Sequence, residues 1–182
     1  LSLYNWPSTE SFLTTSDPNW YNQVGNGFVQ GWDDTLNCYY GAIAGDCVDL
    51  KTSSATVRDY FFNVYKTYID MGVDGFRWDT WKHMPKRDII HLYDRFKAYK
   101  PDLFVFGEVA QKRFELHPVL ELNPHWYTWR DGVGSQPLGL GVLDFYAQAT
   151  FHNIFEDGGA FSGVTDAARY DHLYGDPSLL VT

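Results

Sequence analysis

Two acids, each closing an apolar run, are the residues of this chain best suited to covalent chemistry. In Gly75-Phe76-Arg77-Trp78-Asp79-Thr80-Trp81-Lys82-His83, side-chain alternation along a strand puts Arg77 and Asp79 on one face and Phe76 and Trp78 on the other. A guanidinium beside a carboxylate keeps the acid ionised, and an ionised carboxylate at a strand end can act as a nucleophile. The run from Leu103 to Val109 reads as a buried strand that ends in Glu108. Phe106, Gly107 and Val109 surround Glu108 with apolar neighbours, so it is expected to have the higher pKa and to hold a proton. Paired carboxylates with divided roles are what glycoside hydrolysis requires. One attacks the anomeric carbon and the other protonates the leaving oxygen, with the two about 5–5.5 Å apart in a retaining mechanism. Taken singly, each acid has a plainer reading: an ion pair at a strand end, or a solvated terminal acid.

The elements around the acids follow a repeating order. Ser53 or Ser54 can cap a helix on which Val57, Phe61, Val64 and Tyr68 share a face, ending at Gly72. The Asp79 strand comes next. Pro85 and Asp88 then open a second helix, with Ile89, Leu92, Tyr93, Phe96 and Tyr99 at helical spacing and Pro101 as its stop. After the Glu108 strand, the stretch from Ala110 to Gly141 reads as a long loop, Val142 to Phe145 as a strand and Tyr146 to Phe155 as a helix; a further strand lies near Ser178 to Thr182. This alternation predicts an α/β fold, part of a (β/α)8 barrel, in which catalytic groups gather at the C-terminal ends of the strands. Residues 1–50 are rich in Asn, Gly, Ser, Trp and Tyr without a sustained period. They read as part of an irregular inserted domain, with residues 51–182 as the central portion of the barrel.

The segment Gly75 to His83 resembles the second signature of the α-amylase family, glycoside hydrolase family 13, and Phe106-Gly107-Glu108-Val109 resembles its third. The resemblance implies Asp79 as nucleophile, Glu108 as general acid/base and Arg77 as the partner that keeps Asp79 charged. Lys82 and His83 stand where family members that act on α-1,4-glucans carry a sugar-binding pair. Trp81 is a further candidate for substrate contact, as are Trp78, Trp126 and Trp129, although aromatic residues are more often core than platform. Cys47-Val48-Asp49-Leu50-Lys51-Thr52 is similar to the pattern that closes the family's domain B. That likeness implies a structural Ca2+ bound by Asp49 and the backbone carbonyl of His83, on a partial match because Val48 and Lys51 depart from the pattern. The implied activity is retaining cleavage of internal α-1,4 bonds in starch or a related α-glucan. A cyclodextrin-forming glucanotransferase or cyclomaltodextrinase is the alternative within the family, and a non-catalytic binding or assembly relative is the alternative outside enzymology.

Length, charge and cysteines bound the rest. A barrel of this type takes about 250 residues, so 182 are expected to hold a piece, inactive alone, with the family's first signature before Leu1 and its fourth after Thr182. A net charge of −9 argues against nucleic acid and anionic membranes as partners and is compatible with a neutral polysaccharide. Cys38 and Cys47 could pair in a disulfide or stay reduced. Secretion and a monomeric whole protein are expected from the family resemblance.

Overall fold

Packing divides the computed structural model of the chain into two compact units, Leu1–Leu103 and Phe104–Thr182. The structure describes residues 2–4, 18–22, 33–41, 47–111 and 115–182, with backbone alone for 2–4, 47 and 48.

In the first unit β1 (Ser2–Tyr4) pairs antiparallel with β2 (Cys47–Asp49), Ser2 opposite Asp49. The short helix α1 (Thr35–Tyr40) is opened by Asp34, whose carboxylate accepts from the amides of Leu36 at 2.9 Å and Asn37 at 3.4 Å. Helix α2 (Ala55–Asp70) follows Ser54, which occupies the cap position without a side-chain bond. It gives way to Gly72 at φ +98°, a left-handed conformation that glycine adopts without a Cβ penalty. Its apolar stripe differs from the expected one. Tyr68 is 51% exposed, while the ring of Tyr65 meets Phe76 at 4.9 Å and Phe96 at 5.6 Å. The i, i+4 row through Val57, Phe61, Tyr65 and Ile69 is therefore the inward one, and Val57 and Phe61 pack on Tyr21 and Leu50. This packing joins the N-terminal segments to the helix, so the boundary drawn by compactness does not fall near residue 50.

Strand β3 (Gly75–Trp78) leads through a turn to α3 (Lys86–Tyr99). Ile89, Leu92, Tyr93 and Phe96 are buried as the spacing predicts, but Tyr99 is half exposed and donates its hydroxyl to Asp70. Phe96 is the centre of an aromatic core with Phe62, Tyr65, Phe76 and Trp78. Its removal to alanine would cost about 3–5 kcal/mol. The N-terminal turn of α3 is fastened by Asp88, which accepts from Thr52 Oγ1 at 2.9 Å and lies 3.8 Å from Arg58.

In the second unit β4 (Phe104–Gly107), β5 (Gly141–Leu143) and β6 (Leu180–Val181) are parallel, with Phe106 beside Gly141 and Val142 beside Leu180. Gly141 is dictated by this packing, because a Cβ there would stand 2.7 Å from the Leu179 carbonyl oxygen and 2.9 Å from Phe106 Cβ. β5 stops earlier than the sequence predicts. Asp144 has already turned to cap α4 (Phe145–Phe155), accepting from the Ala147 amide at 2.9 Å. The stretch after Ala110, expected as a loop, contains short 3-10 turns at Leu120–Leu122 and Pro124–Thr128. Among the described residues no helix is long and apolar enough to cross a membrane.

Candidate active site

Asp79 immediately follows the last residue of β3, at its C-terminal end. The pleat separates the two faces as expected: Trp78 is buried, while Arg77 and Asp79 reach outward and pair, Nη1 to Oδ1, at 2.9 Å. With side chains 46% and 63% exposed, the pair has little value as a stabilising salt bridge. Its consequence is positional, since the guanidinium fixes the direction of the carboxylate beyond the strand end.

Thr80 then turns the chain at φ 58° and ψ 38°, a left-handed conformation that is unusual for a β-branched residue. Trp81–His83 form a 3-10 turn directly after it. Trp81 has no exposed surface and packs edge-on against Trp78 at 5.8 Å. The expected sugar contact therefore finds no open ring face at Trp81, because its place is in the core beneath the turn. Trp78 is likewise buried. Lys82 and His83 are buried too, and the His83 Nδ1 lies 3.0 Å from the Cys38 carbonyl oxygen. Burial pushes the His83 pKa down to about 4 against the opposing effect of that bond, so the ring is neutral at physiological pH. Cys38 is a buried thiol rather than half of a disulfide; burial raises its pKa. The Cys47 side chain lies outside the described residues.

Asp49, at the end of β2, is 3% exposed and accepts from Asn22 Nδ2 at 2.6 Å. Burial raises its pKa to about 7, with the Asn22 bond working in the other direction. A buried carboxylate whose hydrogen-bond partner is a neutral amide has the donor chemistry a hard cation takes. Among the described residues no group of three or more His, Cys, Asp or Glu side chains stands close enough to hold a metal, so any such ion would rely on carbonyl oxygens as well.

Glu108 belongs to the other unit. It follows the last residue of β4 and is half-buried between the buried Gly107 and Val109. A third acid, Asp144, also ends a parallel strand, and sequence reasoning passed over it. Its carboxylate is committed to capping α4, and burial raises its pKa. Also missed was Asn123, 1% exposed. Its Oδ1 accepts from the His117 amide at 2.7 Å and the Tyr146 hydroxyl at 2.9 Å, and its Nδ2 donates to the carbonyls of His117 and Val119. The loop beyond Glu108 is thereby tied to α4. An asparagine in a polar loop gives no sequence signal for this role.

Comparison with known proteins gives one answer. The family model of the alpha-amylase catalytic domain matches residues 3–136. An alpha-amylase of Thermomonospora curvata is 36% identical over 179 residues, covering 84% of this chain and 29% of that protein. An alpha-amylase of Niallia circulans is 29% identical over 135 residues, covering 74% and 21%. A cyclomaltodextrin glucanotransferase of Bacillus sp. (strain 17-1) is 26% identical over 182 residues, covering 98% and 21%. The chain thus spans less than a third of these curated relatives. Among solved structures, a cyclomaltodextrin glucanotransferase with a three-domain ABC distribution has a TM-score of 0.73 at 22% identity, covering 87% of this chain and 30% of that one. The alpha-amylase from Geobacillus thermoleovorans complexed with acarbose has 0.69 at 21% identity, covering 90% and 34%. At these identities the structural likeness is one of fold: the parallel strands and their helices are part of an α/β barrel.

Proposed function

The chain belongs to the alpha-amylase family, and on that premise we propose that the protein containing it is a retaining glycoside hydrolase of internal α-1,4-glucosidic bonds in starch or a related α-glucan. The observation that carries the reading is the Arg77–Asp79 pair at 2.9 Å, beyond the C-terminal end of β3. In this reading Asp79 attacks the anomeric carbon and displaces the leaving sugar oxygen, which takes its proton from Glu108. Glu108 then removes a proton from water, and the hydroxide oxygen replaces Asp79 with net retention. Arg77 keeps Asp79 ionised. Lys82 and His83 hold a sugar from the turn that follows, with Trp81 as their support from below. Relatives bearing both names, alpha-amylase and cyclomaltodextrin glucanotransferase, keep a second reading in view, in which a sugar hydroxyl replaces water as acceptor.

The same reading includes a structural Ca2+. Asp49 would supply carboxylate oxygen and His83 its backbone carbonyl, and the ion would neutralise a carboxylate whose pKa burial raises to about 7. We further propose that the protein acts outside the cell, on external starch, and as a monomer.

The test is the anomeric form of the products. The whole protein, acting on soluble starch and followed by proton NMR, should release α-anomers first. Asp79→Asn and Glu108→Gln should each lower kcat by at least about a thousandfold. Initial β-anomers, or an Asp79→Asn protein that keeps more than a tenth of its activity, would end the assignment. A preponderance of cyclic products would select the transferase reading.

A further inference from the structure

We infer that Asp34 is a positioning residue for His83: by capping α1 it holds the Cys38 carbonyl against the His83 ring and so decides which ring nitrogen carries the proton. Its bearing on the reaction rests on the reading above, in which His83 holds a sugar. Helix α1 is six residues long, well below the length of about 12–15 at which an isolated helix becomes marginal in water. Its sequence, Thr35-Leu36-Asn37-Cys38-Tyr39-Tyr40, is made mostly of poor helix formers, and Cys38 is the one fully buried residue in it. A segment with so little of its own to hold it depends on its cap. The Asp34 carboxylate uses both oxygens there: Oδ1 accepts from the amides of Leu36 and Asn37, and Oδ2 accepts from Asn37 Nδ2 at 2.8 Å. The Asp34 carbonyl accepts from the Cys38 amide at 2.9 Å, which joins the cap to Cys38 directly.

The far end of the helix supplies the acceptor. Carbonyls of a last turn have no amide within the helix to meet. Here Gly41 donates to the Asn37 carbonyl at 2.9 Å, and the Cys38 carbonyl meets His83 Nδ1 at 3.0 Å. A carbonyl oxygen only accepts, so the proton of this bond sits on Nδ1. In a neutral ring Nε2 is then an acceptor, suited to a donor such as a sugar hydroxyl. Cys38 and His83 are both buried, so water does not compete for the bond, while Asp34 is exposed and acts from outside. A ring released from the carbonyl is free to carry its proton on either nitrogen.

The test follows the ring itself. The whole protein with isotopically labelled histidine is compared by nitrogen NMR as wild type, Asp34→Ala and Asp34→Asn, at about pH 8, where a histidine of ordinary pKa is neutral. The His83 signals, identified by their loss in His83→Gln, should show the proton on Nδ1 in the wild type and in Asp34→Asn, which keeps a capping oxygen. Asp34→Ala should show a mixture of tautomers. In that variant alone KM for soluble starch should rise by up to roughly fivefold, the factor to which the loss of a cap corresponds, with kcat little changed. Should Asp34→Ala not fold, Asp34→Gly, a weaker loss of the cap, is read in its place. A mixed tautomer with KM unmoved would keep the positioning role and remove the sugar contact at His83. A wild-type ring with its proton on Nε2, or an Asp34→Ala ring indistinguishable from that of the wild type, would overturn the inference.

Discussion

Asp79 and Thr80 are adjacent beyond the end of β3: the first carries the charge paired with Arg77, and the second turns the chain. The period-two alternation that puts Arg77 and Asp79 on one face needs nothing but a strand, and the 2.9 Å pair follows from it. Thr80 at φ 58° could not be read, because nothing in a threonine signals a left-handed turn. For the same reason the sequence could not tell that Trp81 turns inward, since the direction of its ring depends on that turn. A left-handed non-glycine residue costs roughly 1–2 kcal/mol, and such strain is characteristically held at functional sites. Asparagine tolerates the conformation better and can also cap the turn that follows, where Thr80 makes no cap bond. Thr80→Asn in the whole protein should therefore raise stability by about 1 kcal/mol and slow turnover, whereas Thr80→Val should leave the melting temperature nearly unchanged. Melting curves and kcat measured together decide it. A lower melting temperature for the asparagine variant would show that the turn is not strained.

At the level of elements, helices α3 and α4 were legible because amphipathic spacing and stop signals are local. The loop between β4 and β5 was not, because its order comes from Asn123 and from side chains far away in sequence. His125 in that loop shows the consequence. It is 3% exposed, its ring lies edge-on to Tyr174 at 6.0 Å, and its Nδ1 has no hydrogen-bond partner among the described residues. Burial, reinforced by His172, lowers its pKa to about 4. The unfolded chain, with an ordinary histidine near 6.5, binds this proton earlier. Stability contributed by neutral His125 is thus complete above about pH 6.5 and is lost as pH falls toward 4, by up to about 3 kcal/mol. Neutral His83 acts in the same direction, whereas the raised pKa of Asp49 and of Asp144 acts oppositely, with stability lost as pH rises through the folded values. The difference between wild type and His125→Phe isolates one group from the rest. Denaturant unfolding at pH 4.5 and 7 should give the wild type a larger acid loss than the variant. Equal losses would mean that His125 reaches solvent or a partner in the folded protein.

At the scale of the molecule, the sequence pattern distinguished an irregular N-terminal part from a strand-helix part, but packing ties them together. Asn22 donates to Asp49, Thr52 to Asp88, and His83 meets the Cys38 carbonyl, so residues far apart in sequence hold the turn after β3 from behind. Alternation cannot reveal such ties, because they join segments that have no period to elements that do. They give the proposed Ca2+ its leverage. An ion held by Asp49 and the His83 carbonyl would bind the folded state alone and stabilise it by about 3 kcal/mol at roughly a hundredfold excess over Kd. It would also stiffen the segment that carries Lys82. Excess chelator should therefore lower the melting temperature and the activity of the whole protein together, and added Ca2+ should restore both. Asp49→Asn removes the charged ligand while keeping the shape, so its melting temperature should no longer respond to Ca2+. A wild-type melting curve indifferent to chelator, or an Asp49→Asn protein that still responds to Ca2+ as the wild type does, would place any ion elsewhere and leave Asp49 as a buried acid held by Asn22.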